Sequence, residues 1–193
     1  MPLSHGQCRT GTTYNSSAFF IRHNLSLQEF LFCGDVEPDS IAVEPRLRDV
    51  WRAAAPKIPH TLSTLFVECS YPVGRPDDFL YGHLNPEHLA VELAALGEEV
   101  VRARILLAEE DSNPQISQVG ARKKQKKNPI SAKELRGALQ GLRIYIIHCK
   151  EDLQNNYDRP ISHVIADQVR TLVEAQALGA DISAASQGMH ISM

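Results

Sequence analysis

Short apolar runs alternate with longer segments of helical periodicity along most of this chain. The apolar runs are typical of strands and cover Ser17–Arg22, Gln28–Cys33, Thr64–Cys69, Leu142–Ile147 and Asp181–Ala185. The helical segments are Glu44–Ala55, a stretch from Asn85-Pro86-Glu87 to about Leu107, and Pro160–Leu178. Strands that alternate with helices predict an α/β fold in which helices cover a sheet.

The length and composition are those of one ordinary globular domain. The chain has 193 residues, of which 22% are charged, and a net charge of −3, so nothing favours binding to nucleic acid or to a membrane surface. No apolar run approaches the roughly 18 residues of a membrane span, and the first six residues do not resemble a signal peptide. The four cysteines are scattered without a C-x-x-C pair, which predicts reduced thiols and a cytoplasmic location.

One segment, Glu109–Asn128, breaks every periodicity and contains the basic run 122–127. We interpret it as a disordered, solvated insertion in a single partial domain that covers residues 1–193, with no part in the functional site. A basic run of this kind can also bind an acidic partner or act as a nuclear import signal, so a nuclear location stays open beside the cytoplasmic one.

Three polar side chains stand where predicted strands end: Asp35, Glu68 and His148. Strand ends of α/β sheets share one crevice, and carboxylates with imidazoles are ligands that zinc accepts. Each residue also has a structural alternative. A histidine after a strand is more often a hydrogen-bonding residue, an aspartate after glycine is common in turns, and Glu68 would be a strand carboxylate that faces solvent.

Six sequence blocks carry a more specific signal than the periodicity. They are SSAFFIR, FLFCGDVEPDS, LFVECSYP, LYGHLNPEHLAVEL, GLRIYIIHCKE and SAASQGM. In order and spacing the chain resembles the class II cyclic-nucleotide phosphodiesterases, a branch of the metallo-β-lactamase superfamily. The resemblance covers nearly the whole chain except the insertion. It implies an αββα sandwich with one or two zinc ions at the edge of its sheets.

The resemblance also implies the metal ligands. Such sites combine an H-x-H-x-D-H motif with a lone histidine, a bridging aspartate and a final histidine. Here His5 of LSHG matches the lone histidine, Asp35 of GDVEPD the bridging aspartate, and His148 of IIHCK the final histidine. No H-x-H-x-D-H occurs in the printed residues, so we expect the chain to be the C-terminal part of such a domain, with part of a sheet face uncovered.

The catalytic assignments come from the same resemblance. His83 of YGHL matches a histidine that protonates the leaving oxygen in related nucleases, and Glu68 matches an acidic residue that orients it. His88 is expected on a helix surface. The remaining histidines fall in no motif and are expected at the surface or in packing: His23, His60, His163 and His190.

The implied activity is hydrolysis of 3′,5′-cyclic nucleotides, cAMP or cGMP, to nucleoside 5′-monophosphates. The expected partner is therefore a small-molecule substrate, without nucleic acid or membrane, and a homo-oligomer is left open. The alternative is a non-catalytic truncated remnant or pseudoenzyme of the family. A third hypothesis, a superfamily nuclease that acts on RNA, is disfavoured by the GDVEPDS and YGHLNPEHL blocks and by the lack of a broad basic surface.

Overall fold

Six strands form one sheet whose order follows the sequence, β1-β2-β3-β4-β5-β6. The computed structural model describes residues 1–7, 12–112, 129–154 and 156–192, without the side chains of residues 110–112. The strands are β1 (Pro2–Gln7), β2 (Thr13–Arg22), β3 (Glu29–Cys33), β4 (Leu62–Glu68), β5 (Arg143–Ile147) and β6 (Asp181–Ala184). The helices are α1 (Leu47–Ala54), α2 (Pro86–Ser112), α3 (Ala132–Leu135) and α4 (Ile161–Ala175), with 3-10 turns at Ala55–Lys57 and Asp77–Phe79.

The direction of the strands changes across the sheet. β1, β2 and β3 pair antiparallel, whereas β3, β4, β5 and β6 are parallel neighbours. Parallel neighbours need crossover connections, which the helices between β3 and β6 supply. The carboxyl ends of β3, β4 and β5 therefore meet at one edge, where the chain continues into Asp35, beyond Glu68 and into His148.

Most of the predicted elements are confirmed within a few residues. The predicted hairpin forms as β2 and β3, Pro86 begins α2, and Ser131 with Glu134 makes the predicted capping box at the start of α3. β1 was not predicted, since Leu3 is its one buried aliphatic side chain among polar and small residues.

The predicted insertion is partly corrected. Helix α2 extends to Ser112, so residues 109–112 are helical, and residues 113–128 lie outside the described residues. The loop prediction for that remainder stays a prediction. Among the helices of the described residues, none has the length and apolar character to cross a membrane.

The two faces of the sheet differ in how far helices cover them. On one face Leu31, Leu65 and Ile144 are fully buried beneath the helices. On the other face Phe30, Phe32, Phe66 and Tyr145 form an aromatic row across three strands, with neighbouring ring centroids 5.3–6.2 Å apart. Beside this row on β2, Phe19 is 55% exposed, so the expectation of a partly uncovered face is confirmed for the described residues.

The segment after β3 is fixed by the start of α1. One carboxylate oxygen of Asp39 accepts hydrogen bonds from the N–H groups of Arg46 and Leu47, and its other oxygen accepts one from Arg48. Arg46 is the residue before the helix and provides no side-chain cap. Asp39 therefore caps α1 from seven to nine residues upstream.

The first prediction concerns this cap. Asp39→Ala should lower the free energy of unfolding by about 1–2 kcal/mol, because the N–H groups of Arg46 and of the first two helix residues lose their acceptor. Asp39→Asn keeps one acceptor oxygen and should lose less. Urea unfolding measures both variants. As a control, Asp49→Ala removes an exposed ion pair with Arg52 and the acidic side chain in the first turn of α1, and should lower stability by less than about 1 kcal/mol. An equal effect of Asp39→Ala and Asp49→Ala would contradict the capping role.

Candidate active site

Asp35 is held at the carboxyl end of β3 by its backbone neighbours. Gly34 donates its N–H to the carbonyl of Ser17, and a Cβ at Gly34 would lie 2.5 Å from Oγ of Ser16, so a larger residue would have to displace that hydroxyl. On the other side, the N–H of Val36 donates to Oε1 of Glu68 at 3.1 Å. The carboxylate of Asp35 is thereby presented, half-exposed, at the edge of the sheet.

His5 lies in β1, where the pairing with β2 is irregular, and its ring lies close to Asp35. Its Nδ1 lies 3.0 Å from the carbonyl oxygen of Gly82. A carbonyl oxygen can only accept, so Nδ1 carries the proton and Nε2 keeps its lone pair. That Nε2 lies 3.8 Å from Oδ2 of Asp35.

The contact between His5 and Gly82 requires glycine on both sides, Gly6 in β1 and Gly82 in the turn before α2. A Cβ at Gly6 would lie 2.9 Å from Cα of Gly82, and a Cβ at Gly82 would lie 2.8 Å from the carbonyl oxygen of His5. Both glycines also have a positive φ, +71° and +81°. The two backbones can touch only because neither residue has a side chain.

Glu68 and His83 form a buried pair beneath the cluster. Glu68 is fully buried, and its Oε1 lies 3.0 Å from Nδ1 of His83. The solvent-facing alternative for Glu68 is therefore wrong. The carboxylate fixes the proton on Nδ1 of His83 and leaves Nε2 of that ring for the site. The ring of His83 lies between those of His5 and His148, with centroid distances of 4.8 and 5.1 Å.

His148 follows β5 in a strained backbone conformation. Its φ is +57°, a left-handed value that costs a non-glycine residue free energy and that clusters at functional sites. Nε2 of His148 lies 3.4 Å from Oδ2 of Asp35. The ammonium of Lys150 donates to that Nε2 at 2.8 Å, so the ring has its lone pair on Nε2, and the ammonium must move aside before a metal ion can bind that nitrogen.

Ser70 connects the two halves of the site. Its hydroxyl lies 2.9 Å from Oε2 of Glu68 and 3.0 Å from the carbonyl oxygen of His148. Its own carbonyl accepts the N–H of Lys150 at 2.9 Å. The hydroxyl has one proton and donates to one of these two oxygens at a time, whereas the Ser70 carbonyl ties the segment after His148 to the segment that follows β4.

The arrangement fits a metal ion bound through nitrogen and oxygen. Three imidazoles surround one carboxylate, and donor atoms of His5, Asp35 and His83 lie within 4.8 Å of one another. Imidazole and carboxylate donors suit zinc. Thiolate ligands are disfavoured, because burial raises the pKa of Cys149 to about 11 and the pKa of Cys69 well above its usual value.

A second carboxylate lies close to His5. Burial raises the pKa of Glu37, and a hydrogen bond from the backbone of Gly6 partly offsets that effect. Its N–H donates to the carbonyl oxygen of Ser4 at 3.0 Å, which ties the segment after β3 to β1. Glu37 therefore supports the backbone on both sides of His5.

The structure brings all five predicted site residues to one edge of the sheet, although their roles stay predictions. His88 lies outside the cluster, where its Nε2 pairs with Asp77 at 2.8 Å. Sequence reasoning missed Ser70, Gly82 and Lys150. Each of them stands within two residues of a predicted site residue, but nothing in its own residue type indicates a role.

A family model described as class-II cAMP phosphodiesterases matches residues 1–188. A 3′,5′-cyclic-nucleotide phosphodiesterase of Schizosaccharomyces pombe is 46% identical over 96 residues, which are 49% of this chain and 27% of that protein. A protein of the same name from Aliivibrio fischeri is 27% identical over 189 residues, 97% of this chain and 43% of its own.

One solved structure matches almost the whole chain. The crystal structure of unliganded yeast PDE1 superposes with a TM-score of 0.69 at 27% identity, over 97% of this chain and 43% of that one. The match confirms a metallo-β-lactamase-type α/β fold. The chain spans less than half the length of the relatives it matches.

The second prediction tests the close approach of His5 and Gly82. In a longer form that includes an H-x-H-x-D-H segment, Gly82→Ala should weaken zinc binding at least tenfold, because the added Cβ would displace the strand that carries His5. Zinc titration by calorimetry measures the effect. Gly74→Ala is the matched control, since Gly74 has a similar φ of +83° but open space around it. The control should lose about 1–2 kcal/mol of stability and keep its zinc affinity. Equal zinc affinity in both variants would contradict the prediction.

Proposed function

Since the chain belongs to the class-II cAMP phosphodiesterase family, we infer that it is part of a metal-dependent enzyme that hydrolyses 3′,5′-cyclic nucleotides to nucleoside 5′-monophosphates. The observation that carries this proposal is the convergence of Asp35 with three imidazoles at one sheet edge, where His83 is backed by a buried carboxylate. The names of the relatives from Schizosaccharomyces pombe and Aliivibrio fischeri support the same reaction.

We assign the metal ligands of this chain to His5, Asp35 and His148, and propose zinc as the metal. A donor atom of His83 also lies within 4.8 Å of those of His5 and Asp35, but we assign His83 to proton transfer because Glu68 holds its ring. Bound zinc would lower the pKa of a water molecule and stabilise the charge of the phosphate. The protein fixes His5 through the Gly82 carbonyl and His148 through its left-handed backbone. Asp35, between the two rings, supplies the negative charge that the cation requires.

His83 provides the proton for the departing 3′ oxygen. Its Nδ1–H is engaged by Glu68, so only Nε2 can face the substrate. The buried carboxylate balances the positive charge of the doubly protonated ring, and Nε2–H can then donate to the leaving oxygen. Glu68 acts through His83, because its three hydrogen-bond partners leave it no route to the substrate.

The third prediction separates this proton donation from binding. In the complete protein, His83→Ala should reduce kcat for cAMP by about 10²–10⁴, since general acids contribute factors of that size. The loss should be much smaller for bis(4-nitrophenyl) phosphate, because 4-nitrophenolate leaves without a proton. His88→Ala, on the helix surface beside Asp77, should be neutral with both substrates. Equal losses of His83→Ala on both substrates would rule out the general-acid role.

The fourth prediction concerns the number of ligands. Three donors shared between two metals leave both under-coordinated, because a hydrolytic zinc usually has three protein ligands and water. The 193-residue chain alone should therefore bind zinc weakly and release 5′-AMP very slowly or not at all. A longer form that includes an H-x-H-x-D-H segment should turn over cAMP, and Asp35→Ala in that form should abolish turnover.

The measurement is 5′-AMP release by both purified forms with added zinc. Robust zinc-dependent hydrolysis by the short form would show that other residues of this chain complete the site. Absence of turnover in the longer form would favour the non-catalytic alternative.

A further inference from the structure

The segment between Glu68 and His83 places aromatic rings beside the site, and the proposed reaction gives them no role. The ring of Tyr71 meets that of His83 edge to face, with the centroids 6.2 Å apart. The guanidinium of Arg75 lies over the Tyr71 ring at 3.9 Å from its centroid. A stack of one ring and one guanidinium therefore begins at the predicted proton donor.

Arg75 is fixed in this position rather than free in solvent. Its Nε donates to the carbonyl oxygen of Phe79 at 2.7 Å, within the same segment. A guanidinium bonded at its edge and stacked on one face keeps its orientation, so the face turned away from Tyr71 is the one that a planar partner can use.

Tyr81 extends the surface on the side of His5. Its ring is 64% exposed and lies 6.0 Å from the guanidinium of Arg75. The backbone of Tyr81 has a φ of +53°, which is unfavourable for a bulky residue. Its neighbour Gly82 accepts the hydrogen bond from His5. A large ring is thus held in solvent, in a strained conformation, one residue from a predicted metal-ligand contact.

We propose that Tyr71, Arg75 and Tyr81 form a stacking surface for the base of the cyclic nucleotide whose phosphate lies at His5, Asp35 and His148. The inference rests on the proposed function and extends it to substrate recognition. Bases stack on tyrosine rings and on guanidinium planes. In a 3′,5′-cyclic nucleotide the phosphate is fused to the ribose, so the base lies one sugar ring from the phosphate and within reach of this segment.

The chemistry of the surface also indicates its selectivity. Stacking tolerates every base that presents a π-face, because it reads no hydrogen-bonding edge. The larger rings of adenine and guanine cover more of the surface than pyrimidines do. The three residues therefore favour purine over pyrimidine cyclic nucleotides and discriminate weakly between cAMP and cGMP.

The fifth prediction tests the stacking surface in the complete, zinc-loaded protein with two substrates. One is cAMP, and the other is ribose 3′,5′-cyclic phosphate, which has the same phosphate and sugar without a base. Tyr81→Ala should raise KM for cAMP about tenfold, within the range that stacking contributes. It should change kcat less than threefold and leave KM for the base-free substrate unchanged. Arg75→Met should show the same selectivity.

Two control variants separate the ring from other effects. Tyr81→Phe keeps the ring and should behave like the wild type. Val73→Ala removes an exposed side chain of the same segment and should be neutral with both substrates.

The outcomes distinguish this proposal from the proposed function. Hydrolysis of both substrates by the wild type, with equal KM changes on both in Tyr81→Ala or Arg75→Met, would overturn the base-stacking role and indicate a phosphate or structural contact. A KM increase in Tyr81→Phe equal to that in Tyr81→Ala would also overturn it. No hydrolysis of either substrate by the wild type would overturn the proposed function itself, and the stacking role with it.

Discussion

The buried carboxylate of Glu68 is the group on which the geometry of the site depends. An ionised carboxylate without water costs on the order of several kcal/mol unless hydrogen bonds replace its hydration. Here three donors replace it: the N–H of Val36, the hydroxyl of Ser70 and Nδ1 of His83. They come from the segments that follow β3 and β4 and from the segment that precedes α2. Satisfying one charge therefore fixes three segments relative to one another, and Asp35 and His148 are each close to one of them.

Parallel strand pairing explains how residues far apart in the sequence come together at the site. The carboxyl ends of β3, β4 and β5 are adjacent in the sheet, so the residues that follow them begin only a few ångströms apart. His5 is the exception, because it comes from an antiparallel strand at the sheet edge. Its position depends on two glycines and one carbonyl oxygen, 77 residues away in sequence. The position of His5 is therefore more sensitive to substitution than those of Asp35 and His148, since it depends on backbone contact between two glycines rather than on strand pairing.

Much of the fold was predictable because periodicity and caps are local signals. The hairpin, the start of α2 at Pro86 and the capping box at Ser131 all follow from neighbouring residues. The site residues were predictable mainly through family resemblance, since Asp35 and His148 after a strand are equally typical of turns. Ser70, Gly82 and Arg75 were not predictable. A serine hydroxyl, a glycine carbonyl and a stacked guanidinium acquire their roles only from long-range contacts that no spacing in the sequence encodes.

Residues 34–39 contribute to both the candidate site and the start of α1. Asp35 is set by the hydrogen bond of Val36 to Glu68, and four residues later Asp39 accepts the first N–H groups of α1. Asp35 and Asp39 are joined by three residues of the same loop. A residue inserted or deleted between them would therefore move either Asp35 away from the site or Asp39 away from α1. Ordinary surface loops tolerate such changes in length. This loop should instead keep its length through divergence, while the exposed side of α1 accumulates substitutions freely.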